Sequence, residues 1–339
     1  MLLNFIYEYG LFLAKALTFV LAFALLLGLI MALKRSRHLD DEEGQLKITS
    51  LNEYYEGQRE QIYQQTLNKK ALKTYQKEQK KKEKEAEAQE DKAERHRLFV
   101  LDFDGDVQAS AVEDLRVFIS AIIEFAQAGD EVLLRLESGG GFVHAYGLAA
   151  SQLSRLRSHN IRLVVAVDKV AASGGYMMAC MADELHAAPF AIIGSIGVIG
   201  ALPNFHELLK KNAIEYEEHT AGKYKRSLTM FGENTQEDRE QFRRELLITH
   251  ELFKAHIAKV RPHLDVEAVA TGETWYGVQA VEKGLIDAVG MSDDFILNRL
   301  QTHQVLLLEQ AVEESFLDKI KDRFLGKARL SSLFKTFIQ

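Results

Sequence analysis

Val132-Leu-Leu-Arg-Leu-Glu137-Ser-Gly-Gly-Gly141-Phe-Val and Arg162-Leu-Val-Val-Ala-Val167-Asp-Lys-Val-Ala-Ala-Ser173-Gly-Gly-Tyr share one design. Each is a short aliphatic run that stops at a glycine-rich turn and gives way to helix-forming sequence, the signature of a buried strand followed by a helix. Upstream, Leu98–Phe103 reads as another strand, and Ser110–Gln127 carries apolar residues at helical spacing (Val112, Leu115, Phe118, Ile119, Ile122, Ile123). Between and after the two runs, helices are expected at about Val143–Arg157 and from near Ser173. Alternating strands and helices predict an α/β architecture with a largely parallel sheet. Thr235-Gln-Glu-Asp238 has the form of a capping box and opens a helix expected to run to about Val260. From Gln304 the tail offers one more strand and an amphipathic helix with Phe316, Ile320, Phe324 and Leu325, read as packing or oligomer contact.

Ligand and active sites in such sheets gather beyond the carboxyl ends of the strands, where the glycine turns lie. A third turn, Ile193-Gly-Ser195-Ile-Gly-Val, joins the first two. Glycines allow close approach of a substrate and expose amides. Ser173 sits where a strand ends and a helix begins, so its hydroxyl can project, and the amide of Gly174 would lie beside an oxyanion formed on a carbonyl attacked there. The plain alternative is that Ser138 and Ser173 are turn residues. A dinucleotide or P-loop site is excluded, because these turns lack G-x-G-x-x-G and the chain lacks G-x-x-x-x-G-K-[ST]. A nucleophilic serine needs a base. The chain has 11 histidines but no H-E-x-x-H, and Ala171 stands where a G-x-S-x-G elbow needs glycine. His144, His186 and His206 remain open as bases. So do Lys223 and Lys225, which share a face if their segment is extended; a lysine serves as a base only where burial lowers its pKa.

Composition narrows the rest. With 339 residues and 47% hydrophobic content the chain is neither a small stapled scaffold nor disordered. A single cysteine, Cys180, excludes a disulfide framework and a cysteine-based zinc site, and a net charge of −7 argues against nucleic acid. Ala16–Leu33 is uncharged and ends at Lys34-Arg35-Ser36-Arg37. At 1.5 Å per residue it spans roughly 27 Å, close to a bilayer core, so a retained single-pass anchor is expected. The basic flank places the body in the cytosol by the positive-inside rule. A second uncharged run, Ala187–Phe205, holds Pro189, Gly194, Gly197, Gly200 and Pro203, and reads as a buried strand and loop. Lys69–Arg97 contains eleven Lys or Arg and seven Asp or Glu without an apolar stripe. That is the pattern of a solvated helix or disordered tether, whose basic part can face anionic headgroups.

The blocks Leu136-Glu-Ser-Gly-Gly-Gly-Phe-Val-His, Val167-Asp-Lys-Val-Ala-Ala-Ser-Gly-Gly-Tyr-Met-Met-Ala-Cys, Gly194-Ser-Ile-Gly-Val and His219-Thr-Ala-Gly-Lys-Tyr-Lys-Arg resemble, in this order, the signal peptide peptidase A family of serine proteases, peptidase family S49. The resemblance implies a spiral of βαβ units, as in the Clp protease subunit and crotonase, behind an amino-terminal transmembrane helix and the charged spacer. It divides the chain into an anchor with its basic flank (1–40), a spacer (41–97), a peptidase domain (98–291) and a carboxyl-terminal strand and helix (292–339). It implies Ser173 as nucleophile and Lys225 as general base in a Ser-Lys dyad, with Ser195 bonding the lysine. Gly174 with Gly140 or Gly141 would form the oxyanion hole. The implied reaction is peptide-bond hydrolysis through an acyl-enzyme, with no cofactor or metal, acting on signal-peptide remnants or membrane and envelope proteins. A bacterial inner-membrane location, lipid contact and a homo-oligomer follow from the same likeness, which favours the outer side where charge favours the cytosol. Gly139 stands where many members have proline, which loosens the turn without removing a donor.

Two rivals stand beside this reading. Val100-Leu-Asp102-Phe-Asp104-Gly-Asp106 is similar to the first motif of haloacid-dehalogenase phosphatases, with Asp102 as nucleophile, Asp104 as acid, Ser292-Asp293-Asp294 as a last acidic motif and magnesium as cofactor. The other is a non-catalytic membrane scaffold.

Overall fold

The computed structural model describes residues 7, 9–13, 15, 17–20, 22–23, 46–90 and 95–311, with side chains inside 82–90 excepted. The chain divides into two units, Ile48–Glu309 and Met1–Lys47 with Gln310–Gln339. In the second unit the described residues between Tyr7 and Phe23 are helical and exposed. No helix among the described residues is long and apolar enough to cross a membrane. Most of the expected Ala16–Leu33 span, its basic flank and the amphipathic tail helix fall outside the described residues.

The larger unit is a mixed α/β body on a central sheet. In chain order its elements are β1 (Leu46–Ser50), α1 (Leu51–Thr66), α2 (Lys69–Glu90), β2 (Arg97–Gly105), α3 (Val112–Phe125), β3 (Glu131–Ser138), α4 (Val143–Ser158), β4 (Arg162–Val167), β5 (Val170–Ala172) and α5 (Gly174–Ala179). They continue with β6 (Glu184–Ala187), β7 (Ile192–Gly194), α6 (His206–Lys211), α7 (Gln236–Val260), α8 (Val266–Val269), β8 (Thr274–Tyr276), α9 (Gly277–Glu282), β9 (Ala288–Val289), α10 (Ser292–Arg299) and β10 (Gln304–Gln310). The main sheet runs β1-β10-β2-β3-β4-β6-β9, and β5, β7 and β8 branch from it at β3. The pairings from β10 through β9 are parallel; β7 with β8 is antiparallel.

Aliphatic runs made these strands because both faces of the sheet are covered. Leu98, Val100, Leu101, Leu133, Leu134, Val164 and Val165 are all fully buried, each such side chain worth about 1.5–3 kcal/mol of transfer free energy. Helix α3 buries Leu115, Phe118, Ile119 and Ile122, the stripe read from its spacing. The strand expected from Gln304 lies inside the sheet, between β1 and β2. Helix α7 opens as its sequence demanded: Thr235 Oγ accepts the Asp238 amide at 3.2 Å and Asp238 accepts the Thr235 amide at 2.8 Å. Its far end is fixed by Arg261, whose guanidinium meets Asp287 at 2.6 Å while Asp287 also accepts the Leu185 amide at 2.7 Å. Of the uncharged Ala187–Phe205 run, Ile193 and Ile196 are fully buried, whereas Ile199 is 90% exposed.

Candidate active site

The short strand β5 sets the geometry. It pairs with β7 so that Ala172 lies opposite Gly194, which makes Ser173 and Ser195 successive residues on neighbouring parallel strands. The Ser173 amide donates to the Gly194 carbonyl at 2.8 Å, and the Ser173 carbonyl accepts the Met177 amide at 3.0 Å, starting α5. Between these bonds Ser173 is held at φ 52°, ψ −116°, a conformation an L-residue enters at a cost of roughly 1–3 kcal/mol. Ser195 is also left-handed, at φ 51°, with its amide on the Glu273 carbonyl at 2.6 Å. The Ser173 hydroxyl is half-buried and has no hydrogen-bond partner among the described residues.

The glycines around it are there for want of space. A Cβ on Gly140, which sits at φ 88°, would meet the Gly174 nitrogen at 2.7 Å and Ser173 Cβ at 2.8 Å. One on Gly141 would stand 2.1 Å from the Val107 carbonyl oxygen, and one on Gly174 would stand 2.4 Å from the Tyr146 ring. Gly139, by contrast, has open space around it. The first turn, the loop after β2 and the head of α5 are therefore pressed together backbone to backbone.

Tyr146, on α4 and fully buried, locks that contact. Its hydroxyl donates to the Asp106 carbonyl at 2.7 Å and so accepts from Ser138 Oγ at 2.5 Å. Ser138 Oγ in turn accepts the Gly140 amide at 3.1 Å. Ser138 Oγ also reaches the Gly105 carbonyl at 3.2 Å, so Gly140, Ser138, Tyr146, Gly105 and Asp106 form one hydrogen-bonded network in which the bonds polarise one another. Its consequence is specific: the Gly140 amide is occupied, while the amides of Gly141 and Gly174 have no acceptor among the described hydrogen bonds. Ser138 is thus a brace, a role that goes beyond filling a turn.

Beside Ser173 opens a pocket of ≈ 10 Å³, about the room one water needs, walled by Val143, Met177, Val198, Thr249 and Phe253. The α7 residues Thr249 and Phe253 and the brace Tyr146 escape sequence reasoning. The only hint of Tyr146 is a large aromatic among small residues in Ala145-Tyr-Gly-Leu-Ala-Ala. His256 of α7 donates from Nε2 to the Met177 carbonyl at 3.1 Å, and burial holds its pKa below the ordinary imidazole value. Cys180 is buried and pushed up to about 12 by desolvation, which makes it packing and no second nucleophile.

The candidate bases lie elsewhere. His144 is exposed and stacks on Phe142, His186 bonds to Glu184 at 2.8 Å, and His206 is near Glu207. The segment of Lys223 and Lys225 is not extended, so the condition for a shared face is not met. Gly222, at φ 100°, allows a turn closed by the Lys225 amide on the Gly222 carbonyl at 3.1 Å, so the two side chains do not share a strand face. Lys223 pairs with Glu237 at 3.0 Å. Lys225 is exposed and lines no part of the Ser173 pocket. Ser173, Ser195, Gly140, Gly141 and Gly174 thus lie on adjoining turns, while Lys225 is exposed and not among the residues lining the pocket. A second hollow, ≈ 660 Å³, lies between α6 and the strip Ile214–Glu217 with Phe231, and shares no lining residue with the first.

Comparison with known proteins supplies the family. Residues 4–153 match the family model described as peptidase family S49 N-terminal, and residues 155–307 match peptidase family S49. A protein named "Probable protease SohB" from Buchnera aphidicola subsp. Schlechtendalia chinensis is 49% identical over 308 residues, covering 88% of this chain and 100% of its own. Its namesake from Haemophilus influenzae is 46% identical over 330 residues, 94% of this chain and 93% of its own. The chain belongs to peptidase family S49. It is a serine-type protease. In β2, Arg135 grips Asp102 in a bidentate pair at 2.5 and 2.7 Å. Asp168 holds the amide and hydroxyl of Ser292. Among the described residues no cluster of His, Cys, Asp or Glu is placed to hold a metal ion. The phosphatase reading has no support from the family, which is a peptidase family.

Proposed function

We propose that this S49 peptidase cleaves peptide bonds with Ser173 as nucleophile and Lys225 as general base. The observation that carries the reading is Ser173 itself, strained at the head of α5 with its hydroxyl unbonded and two open amides, Gly141 and Gly174, beside it. Neutral Lys225 takes the proton of Ser173, whose Oγ attacks the scissile carbonyl. The tetrahedral oxyanion is held by the Gly141 and Gly174 amides, donors that need no rearrangement as charge develops. Collapse expels the amine, which takes the proton back from the lysine ammonium, and water then hydrolyses the acyl-enzyme by the same route. Ser195, next to Ser173 across β5 and β7, is the hydroxyl proposed to orient the amine.

Lys225 has to reach Ser173 and lose its water on the way. The chain exposes large apolar side chains, among them Ile199, Leu202, Phe231, Leu247, Ile248 and Leu252. Patches of this kind mark surfaces that another protein covers, and a homo-oligomer that covers them would also shield the amine. The branch of β5, β7 and β8 from the main sheet agrees with the spiral of βαβ units expected from the family likeness. Ala16–Leu33 remains the proposed single-pass anchor in a bacterial inner membrane. Anchoring would bring the site to signal-peptide remnants and to membrane or envelope proteins, with small or apolar side chains suited to the narrow pocket at Ser173.

Labelling with a fluorophosphonate tests the assignment. Ser173→Ala and Lys225→Ala should each abolish covalent labelling and peptide hydrolysis. Undiminished labelling of Ser173→Ala removes the serine from the mechanism, and undiminished labelling of Lys225→Ala removes the lysine alone.

A further inference from the structure

Helices α1 and α2 are the part of the body that catalysis does not use. Helix α1 is fastened at one end. Leu51 is buried, and Asn52 bonds to the Leu300 and His303 carbonyls and to the Val305 amide. From Glu56 to Gln65 every residue but Tyr63 is exposed. Tyr63 meets Tyr75 of α2 edge to face at 4.5 Å, and Asn68 caps the start of α2 by accepting the Ala71 amide at 2.9 Å. Helix α2 then turns Ala71, Leu72, Tyr75 and Gln79 inward, all half-buried.

Opposite that face stand Lys69, Lys70, Lys73, Lys77 and Lys80, all exposed. At about 100° per residue the five fall within a sector of about 100°, over a rise of about 17 Å. The one acid between Lys69 and Lys80, Glu78, lies outside that sector. A solvated helix gains from opposite charges three or four residues apart, yet Lys69, Lys73 and Lys77 follow one another at that spacing, which costs helix stability. Such a stripe fits a surface of opposite sign.

We propose that the lysine face of α2 docks on anionic lipid headgroups. A bilayer is favoured because the same chain carries the uncharged run Ala16–Leu33 and its basic flank, and a tether to the membrane raises the effective concentration of headgroups at α2. A nucleic acid is disfavoured because the stripe holds no aromatic residue on which bases could stack, and the chain as a whole is at −7. The proposal rests on the membrane-anchor reading but not on the Ser-Lys chemistry.

The test uses the full chain in lipid nanodiscs of phosphatidylcholine alone or mixed with phosphatidylglycerol, labelled with an amine-reactive reagent and read lysine by lysine. Labelling of the five lysines should fall severalfold in the anionic discs, while Lys210 and Lys259 stay constant. The protection should vanish at about 1 M salt, where the screening length is about 3 Å. Amide hydrogen exchange along α2 should slow on anionic discs for the native chain but not when all five lysines are replaced by glutamine, a comparable helix former. Equal labelling in both lipids overturns the proposal, as does lysine-dependent binding of single-stranded RNA without lipid preference. A chain that stays out of the discs refutes the anchor. The stripe is then judged by co-sedimentation with vesicles of the same two compositions, where salt-sensitive binding to the anionic ones, lost in the glutamine variant, sustains it and its absence overturns it.

Discussion

The two halves of the candidate site are built differently. The nucleophile side is fixed by backbone: Ser173 is bonded at both peptide groups, Gly140, Gly141 and Gly174 leave no room for a methyl group, and the Tyr146 hydroxyl ties the loop after β2 to the end of β3. The base side rests on an irregular segment held by surface pairs, among them Arg226 with Glu218 at 2.9 Å and Lys223 with Glu237 at 3.0 Å. One half is held by backbone packing and the other by exposed side-chain pairs.

The sharpest way to break the contrast is a methyl group on the rigid half. Gly140→Ala should destabilise the fold by more than about 2 kcal/mol, through its left-handed backbone and its contact with Gly174, and should abolish fluorophosphonate labelling. Gly139→Ala, one residue earlier and in open space, should keep full labelling. Thermal melts and labelling of the two variants side by side decide it; equal behaviour would mean the turn is not clamped. Next in size is Tyr146→Phe, which keeps the ring against Gly174 and removes only the hydroxyl. Leaving Asp106 and Ser138 without that partner costs about 1–3 kcal/mol. As a positioning residue Tyr146 should lower kcat about tenfold with KM little changed, because the Gly141 amide drifts from where the oxyanion forms. A fall in stability with kcat intact would assign Tyr146 to packing alone.

How much of this was legible follows from range. The glycine turns and the capping box of α7 depend on neighbours in sequence, and both read correctly from residue type and spacing. The brace does not, because Tyr146 reaches Asp106 across forty positions and nothing local distinguishes it from an ordinary core aromatic. Lys225 shows the converse. Family likeness singles it out, but its exposure on the turn closed at Gly222 is not legible from residue type. For the same reason the strand from Gln304 was visible as a strand, while its place between β1 and β2 was not.

A smaller effect probes where α7 leans on the rigid half. Burial lowers the His256 pKa, against the opposing influence of its bond to the Met177 carbonyl. Its folded value therefore lies below the unfolded one of about 6.5, and the native state binds fewer protons. The stability tied to neutral His256 is complete above about pH 6.5 and is lost as pH falls from there through the folded value. The melting temperature should decline on acidification from about pH 7 to 5, and His256→Gln, which can still donate to Met177, should flatten that slope. Identical slopes would mean that protonation does not reach the α5–α7 contact.

The smallest expected effect separates the two lysines of the loose half. Lys223 is exposed and paired with an exposed glutamate, and such pairs lose most of their attraction to solvent and salt. Lys223→Ala should therefore leave the melting temperature and fluorophosphonate labelling unchanged, although it sits two residues from Lys225 and disturbs the same turn. If Lys223→Ala instead suppresses labelling as fully as Lys225→Ala, the turn as a whole positions the base and no single amine can be credited with it. A difference between them, at equal stability, leaves the amine of Lys225 as the group whose loss matters, because the two substitutions remove the same charge from the same exposed loop.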